Sequence, residues 1–366
     1  MRWSPIFSFH LAPDLDDDSV TRAVEGAYRP FARLLLRRPL LRGGLVVEAG
    51  VSERLWRGGH EDVIIALRTL VERGQLEPVD TAAYGAPLPL LPEEEIRRQL
   101  ARNASINRTY FGLAYRPTGI VARAYAASPL LARAAHAEGY RYLLCDTRAL
   151  GAERPSGARL RAPVGLALLG CDRVLAEALS ERTAPRVQAL HAAFAQAGDY
   201  GACILPVRRL CADPARVRRL LAAVERFALL CRRPSELLTD AEGTGRPAEI
   251  REPDGGPWLL WHDPENAVHR MQWRFIAHAL LLAARDPSGH PHARECLDRA
   301  LCADFLAAAS PAPLWDPARI ERGAALLLES ALAAMAGEEE QAEARYYALE
   351  IGERARSCAP GPAAAR

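Results

Sequence analysis

The apolar and polar positions of this chain alternate between two patterns. Longer segments with apolar residues at helical spacing, such as VTRAVEGAYRPFARLLLRR and HEDVIIALRTLVERG, separate short apolar runs typical of buried strands. The seven strand-like runs are 5–11, 44–50, 75–81, 119–125, 141–146, 165–170 and 202–207. This repeated order predicts an α/β fold of parallel strands covered by helices. Seven strands favour an incomplete, TIM-like (β/α)7 barrel over an open sheet.

The pattern changes after residue 234. The stretch TDAEGTGRPAEIREPDGGP is rich in glycine, proline and charged residues, and the chain beyond it is almost purely helical in spacing. We therefore expect a barrel domain over 1–234, a linker or loop over 235–257 and a helical C-terminal domain over 258–355. The last residues, 356–366, are expected to form a disordered tail.

Composition excludes several classes of partner. The chain has 366 residues and a net charge of +2, and all of its 47 basic residues are arginine. A balanced charge gives no reason to expect nucleic acid as a partner. No stretch approaches the apolar length of a membrane span, and the first residues do not resemble a signal peptide, so we expect no membrane association and a cytoplasmic location. The 8 cysteines lack C-x-x-C pairs and are expected to be reduced and buried.

Motifs for cofactors are missing from the sequence. There is no G-x-x-x-x-G-K-[ST], no G-x-G-x-x-G after a strand, no G-x-S-x-G and no H-x-H metal pair of the deacetylase type. The HPH sequence at 290–292 stands beside glycine and proline, where a loop is predicted, and is a weak metal candidate. We therefore expect neither a cofactor nor a metal.

Several segments resemble one family when taken in order. They are VTRAVEGAYRPFARLLLRRPLLRGGLVVEAGVSERL, RGQLEPVDTAAYGAPLPLLPEEEIRRQLARN and PTGIVARAYAASPLLARAAHAEGYRYLLCD, with RPSELL and RECLDRALCADFLAA further on. Together they resemble family 57 glycoside hydrolases over roughly residues 3–330. The resemblance implies a (β/α)7 barrel followed by a C-terminal helical bundle. It also implies retaining chemistry on α-linked glucans, as in amylases, glucanotransferases and branching enzymes.

The departures from the family lie where its chemistry should be. Retaining cleavage needs two carboxyl groups about 5 Å apart, one as nucleophile and one as acid/base. Matching Gly119 and the Ser-Pro at 128–129 to the nucleophile strand puts Ala124 at the nucleophile position. At the expected acid/base level the sequence has only Val207, Arg208 and Arg209, and Ala86 replaces a family histidine. The resemblance therefore implies a family 57-like pseudoenzyme with degenerate catalytic positions.

Some polar and aromatic residues remain as site candidates. Asp146 and Asp213 are the fallback catalytic carboxylates, although Asp213 before a proline is more typical of a helix cap. For each of the others a structural role is the alternative: a core-edge histidine, a structural ion pair or a buried aromatic ring. The candidates for substrate binding are His10, Glu77, Asp146, Trp258, Trp261 and Asp304.

The sequence leaves three functions open. The first is an inactive barrel that binds an α-glucan or oligosaccharide, or that regulates another protein of glucan metabolism. The second is an active retaining α-glucan hydrolase or transferase with relocated carboxylates, Asp146 with Asp213 or Asp304. The third is a structural assembly protein that uses its helical part as an interface.

Overall fold

The computed structural model describes most of the chain. The described residues are 2–150, 160–180, 200–226, 230–239, 246–247, 249–250, 257–285, 290–311, 315–334 and 337–357. The predicted disordered tail lies outside them from residue 358 onward. Of the predicted linker, the helix Pro234–Thr239 and the short strand Arg246–Pro247 are described, whereas most of the remainder lies outside the described residues.

Seven main strands form the sheet, and each overlaps one of the predicted runs. They are β1 (Arg2–Phe9), β2 (Gly43–Val47), β3 (Leu76–Pro78), β4 (Gly119–Val121), β5 (Tyr142–Asp146), β6 (Ala167–Cys171) and β7 (Tyr200–Pro206). Three two-residue strands, Leu160–Arg161, Leu230–Cys231 and Arg246–Pro247, pair at the periphery. The predicted strand 119–125 is shorter than expected, because the chain turns after Val121.

The parallel pairing of these strands forms a nearly closed ring. β1 pairs with β2 and β7, β2 with β3, and β5 with β4 and β6. Asp80 joins β3 to β4, because its N–H donates to Gly119 O at 2.8 Å and its carbonyl accepts from Val121 N at 2.9 Å. β6 and β7 meet at one residue pair, Cys171 with Ala202. The predicted incomplete (β/α)7 barrel is confirmed, and the carboxyl ends of its strands share one mouth.

Helices cover this ring on the outside. They are Asp17–Ala23, Arg29–Leu36, Ala49–Arg57, Glu61–Glu72, Glu93–Phe111, Pro129–Ala137, Arg173–Ser180, Val207–Cys211 and Pro214–Arg226. The short helix Pro234–Thr239 lies at the base of the barrel instead, where Leu237 joins the interior cluster. The larger apolar core lies between strands and helices, and includes Phe7, Phe31 and Leu67. A smaller cluster, with Ile6 and Val46, fills the barrel interior. The barrel is therefore a packed core rather than an open channel.

One predicted helix contains a wide turn. The run VTRAVEGAYRPFARLLLRR is helical as far as Leu36, but Val24–Tyr28 forms a π turn between two α-helices. The N–H of Arg29 donates to Val24 O, five residues earlier. Pro30 follows and has no N–H to continue the α-helical ladder. The proline explains why the helix accommodates an extra residue at this point.

The second compact unit is helical. It comprises Ala12–Asp14, Tyr84–Pro87 and Asp254–Arg366. Its helices are Ala267–Arg285, Pro291–Ala300, Ala303–Ala307, Pro317–Ala333 and Glu338–Ser357. Among the described residues, no helix is long and apolar enough to cross a membrane.

Two short segments from the first quarter of the chain belong to this helical unit. The Asp14 carboxylate, almost fully buried, pairs with Arg319 at 3.0 Å and Arg322 at 2.9 Å. The carbonyl of Gly85 accepts a hydrogen bond from Ala303 N at 3.0 Å. These segments are therefore held by specific contacts to helices that come more than 200 residues later in the sequence.

Candidate functional site

The barrel mouth brings together three ionisable side chains from three strand ends. His10 follows β1, Glu48 follows β2 and Arg123 follows β4. His10 Nδ1 lies 2.6 Å from Glu48 Oε2, and the Arg123 guanidinium lies 3.5 Å from Glu48 Oε1. The Glu48 side chain is only 8% exposed, whereas His10 and Arg123 are 23% and 25% exposed. We call these three residues the mouth triad.

The backbone of His10 is fixed from the neighbouring helical segment. The Tyr28 hydroxyl donates to His10 O at 2.6 Å and accepts from His10 N at 3.2 Å. Burial raises the pKa of Tyr28 far above its ordinary value, so the hydroxyl stays protonated and keeps its donor role. Tyr28 lies in the π turn, so this irregular part of the helix positions the hydroxyl group that binds the His10 backbone.

Ala124, the predicted nucleophile position, lies in the turn after β4. Arg123–Tyr125 form a tight, non-helical turn. Ala124 has φ 51° and Tyr125 has φ 61°, in the left-handed region that side chains other than glycine seldom adopt. Tyr125 donates its hydroxyl to Ile204 O at 3.1 Å, which fixes the turn against β7. A half-buried methyl group therefore stands at this position of the mouth.

The two fallback carboxylates have local partners. Asp146 ends β5 at the mouth, as expected, but it is buried and receives N–H groups of Arg148 at 2.8 to 3.2 Å. Asp213 accepts from Ala215 N at 2.8 Å at the start of a helix. This is the capping arrangement that the sequence favoured for Asp213.

Glu77 lies at the opposite end of the barrel from the one expected. It pairs in register with Gly44 near the start of β2, and its side chain is directed at the starts of β4 and β5. It accepts from the Tyr142 hydroxyl at 2.8 Å, Thr118 Oγ1 at 2.9 Å, Ser235 N at 3.1 Å and Ser235 Oγ at 2.5 Å. Glu77 is thus a buried anchor of the barrel floor, away from the mouth.

Sequence reasoning did not identify Asp80, a fully buried carboxyl group between β3 and the helix Glu93–Phe111. It accepts from Asn103 Nδ2 at 2.6 Å, from its neighbour Thr81 N at 2.9 Å and from the Tyr140 hydroxyl. Burial raises the pKa of Asp80 to about 6, although these hydrogen bonds work in the opposite direction. Asp80 is therefore a titratable group within the fold rather than in the mouth.

The remaining candidates belong to the helical unit. Trp261 is 3% exposed, and its carbonyl accepts from Trp273 Nε1 at 2.8 Å, so its ring is part of that unit's core. Trp258 is half-buried in the turn Pro257–Leu260. Asp304 is half-buried on the helix Ala303–Ala307, where its charge acts on Arg319.

Glu48 is a site residue that the sequence analysis missed. The signal was available, since an acid follows the apolar run GLVV directly, just as Asp146 ends RYLLCD. What the sequence did not supply was the pairing of Glu48 with His10 and Arg123. Chemically, the mouth triad places the His10 and Arg123 side chains around the Glu48 carboxylate, and each carboxylate oxygen contacts one of them.

Comparisons with known proteins support the resemblance inferred from the sequence. Residues 25–180 match the sequence profile described as Glycosyl hydrolase family 57. No curated protein is significantly similar to the chain in sequence.

Several solved structures share the fold of this chain. A 4-alpha-glucanotransferase from Thermococcus litoralis has a TM-score of 0.70 at 15% identity, over 90% of this chain and 57% of that chain. A GH57 branching enzyme from Thermococcus kodakaraensis has a TM-score of 0.68 at 12% identity, over 94% of both chains. The alpha-amylase AmyC from Thermotoga maritima has a TM-score of 0.65 at 12% identity, over 99% and 100%. This chain thus spans little more than half of the glucanotransferase.

Proposed function

We propose that this chain, family 57 glycoside hydrolase-like in sequence and fold, binds an α-glucan or oligosaccharide at its barrel mouth without cleaving it. In this role it acts in α-glucan metabolism by holding glycan or by regulating a partner protein of the same metabolism. The observation that carries the proposal is the mouth itself, where Ala124 lies at the predicted nucleophile position and His10 and Arg123 both engage Glu48.

Cleavage with retention needs a carboxylate that attacks the anomeric carbon and an acid that protonates the leaving oxygen. The Ala124 methyl group can do neither. Asp146 is held by Arg148, and Asp213 caps a helix. Because the two groups act as a unit, loss of the nucleophile alone removes most of the rate enhancement.

Binding makes smaller demands on the mouth. Sugar hydroxyl groups need a few donors and acceptors held in place by a rigid scaffold. His10 and Arg123 are each about one quarter exposed and are held by Glu48, so they present donors at low entropic cost. The Arg123 guanidinium also suits a sugar that carries an anionic group.

The alternative is an active retaining hydrolase or transferase with relocated carboxylates. Asp146 and Asp213 would then form the pair, or Asp146 with Asp304. The hydrogen bonds of Asp146 and Asp213 favour structural roles, so this activity is the less favoured outcome of a product assay.

The test incubates the purified protein with maltooligosaccharides and amylose and separates the products by chromatography. We expect no shortened, lengthened or branched product. Turnover that disappears when Asp146 or another single carboxylate is replaced would overturn the proposal that the mouth does not cleave glucans.

Calorimetry with the same sugars tests the binding part. Arg123→Ala should weaken the affinity by about tenfold, since one well-placed charged hydrogen bond contributes about 1.5 kcal/mol. Arg42→Ala is the matched control, because Arg42 also pairs with one glutamate, Glu236, but at the amino end of β2. If no glucan binds, or if both variants weaken binding equally, the mouth is not the glycan site.

A further inference from the structure

A cluster of metal-binding side chains lies in the helical unit. His292 and Cys296 are one turn apart on the helix Pro291–Ala300, and Glu329 faces them from the helix Pro317–Ala333. Residues four apart project from the same helix face. The sequence suggested that His292 stood in a loop, but it lies in the first turn of a helix that orients it beside Cys296.

We propose that His292, Cys296 and Glu329 form a binding site for a transition-metal ion, preferentially Zn²⁺, with the fourth coordination position open to water. The imidazole, thiolate and carboxylate are three of the ligand types that zinc accepts. This proposal is independent of the proposed glucan binding, because all three residues belong to the helical unit.

The distances are close to those of a tetrahedral site. His292 Nε2 lies 2.9 Å from Glu329 Oε1 and 3.7 Å from Cys296 Sγ, and the ligand atoms of all three residues lie within 4.8 Å of one another. Zinc bonds of about 2.0 to 2.3 Å at tetrahedral angles separate nitrogen from oxygen by about 3.4 Å and nitrogen from sulfur by about 3.6 Å. Rotation of the exposed Glu329 side chain supplies the small opening that an ion needs.

Burial of the three ligands differs in a way that suits an open site. The side chains of His292 and Glu329 are 65% and 51% exposed, whereas Cys296 is buried beneath them. An ion can therefore enter from solvent and meet the sulfur at the bottom of the cluster. Three protein ligands with one position open to solvent is the arrangement of zinc sites that bind water or a further ligand.

The sulfur favours zinc over calcium or magnesium. Calcium and magnesium take oxygen ligands, while a soft thiolate selects zinc and related transition metals. The His292 nitrogen and the Glu329 oxygen complete a mixed ligand set around this sulfur.

Cobalt provides a direct readout of thiolate coordination. The full-length, tag-free protein is stripped with a chelator and titrated with Co²⁺, which occupies zinc sites and gives a near-ultraviolet charge-transfer band when a thiolate coordinates it. We expect one equivalent of Co²⁺ to produce this band and Zn²⁺ to abolish it by displacement. Metal uptake without the band, or no uptake at all, would overturn the proposal.

Variants then assign the ligands. Cys296→Ser should remove the band and lower zinc affinity by at least about tenfold, since changes even to groups behind a ligand have effects of that size. Cys211→Ser is the control, because Cys211 is a half-buried thiol of the barrel unit. A band that survives Cys296→Ser and disappears in Cys211→Ser would show that the metal binds elsewhere.

Two surface variants keep the test decisive if the buried Cys296→Ser change prevents folding. His292→Gln and Glu329→Gln alter side chains that are more than half exposed, so the helical content should be retained. Each should still lower the affinity by about tenfold or more. If both variants bind cobalt as the parent does, the cluster is an ordinary ion pair beside a thiol.

Discussion

His10 Nδ1 lies 2.6 Å from an oxygen of Glu48, although 38 residues separate the two in the sequence. The contact exists because β1 and β2 are parallel neighbours, so residues just beyond their carboxyl ends meet at one edge. Glu48 also faces Arg123 from β4. One carboxylate thus organises two donors at the barrel mouth.

We expect Glu48→Gln to destabilise the protein by about 1–3 kcal/mol, because it removes charge-assisted hydrogen bonds to a buried carboxylate. The change also removes the ion pair between Glu48 and Arg123 at the mouth, so glucan affinity should fall. Urea unfolding and calorimetry measure the two effects. Glu25→Gln, at an exposed ion pair with Arg29, is the control and should change stability much less than Glu48→Gln, because solvent screens an exposed ion pair. Equal losses in both variants would contradict an organising role for Glu48.

Asp80 should make stability depend on pH in an unusual direction. Its pKa is raised from 3.8 to about 6 by burial, so between these values the folded state holds a proton that the unfolded state has released. The free energy of unfolding should therefore fall as pH rises from about 4 to about 6, by roughly 2–3 kcal/mol. Above that window the contribution is constant.

The measurement compares urea unfolding of the parent and Asp80→Asn from about pH 4 to about pH 7. The difference between the two free energies should shrink with rising pH through this window. Asp62→Asn is the control: hydrogen bonding to Arg29 lowers the pKa of Asp62 below 3.8, so that its contribution is lost only at more acidic pH. A pH-independent difference for Asp80→Asn would mean that Asp80 is ionised throughout.

Replacing Ala124 by glycine should leave stability nearly unchanged. The left-handed conformation at φ 51° costs alanine roughly 1 kcal/mol. Glycine removes this strain, but it also gives the unfolded chain more backbone freedom, which lowers the free energy of unfolding by about 0.5–1 kcal/mol. Ala126→Gly, two residues later at φ −62°, relieves no strain and should destabilise by about 1 kcal/mol. Thermal unfolding of both variants tests this, and an equal loss in the two would contradict the strained turn.

Glu77 should act on stability and not on glucan affinity. Glu77→Ala leaves the buried Tyr142 hydroxyl and two further residues without their acceptor, so we expect a loss of about 2–4 kcal/mol. Tyr142→Phe removes one hydrogen bond and should lose about 1 kcal/mol while binding glucan normally. Urea unfolding and calorimetry check both. Weaker glucan binding by Tyr142→Phe, with unchanged stability, would instead favour a ligand-binding role for Glu77.

The strands and the barrel could be predicted from the sequence because each strand is an apolar run between helical patterns. The exact strand ends could not, because they depend on tertiary contacts. The run 119–125 reads as one strand, yet the strand ends at Val121, where the chain turns and Tyr125 reaches Ile204. The sequence around Gly119 likewise does not reveal why glycine is needed there. In the structure, a side chain at this position would collide with the Tyr142 ring.

The candidate site was only partly predictable for the same reason. The positions of His10, Ala124 and Asp146 could be predicted because each lies near the carboxyl end of an apolar run, and each run can be recognised separately. The pairing of Glu48 with His10 and Arg123, and the enclosure of Asp80 by Asn103, depend on which strands and helices become neighbours. No local sequence pattern specifies those neighbours. For the same reason, the sequence does not show that Ala12–Asp14 and Tyr84–Pro87 belong to the helical unit.

The floor of the barrel has a consequence for how the domain assembles. Two of the donors to Glu77 come from Ser235, 158 residues downstream and beyond the seventh strand. In a nascent chain that does not yet include Ser235, the Glu77 carboxylate lacks these two donors and must be hydrated by water instead. Sealing the base of the ring is therefore a late event, and a polypeptide that stops short of residue 235 should remain loosened at that end.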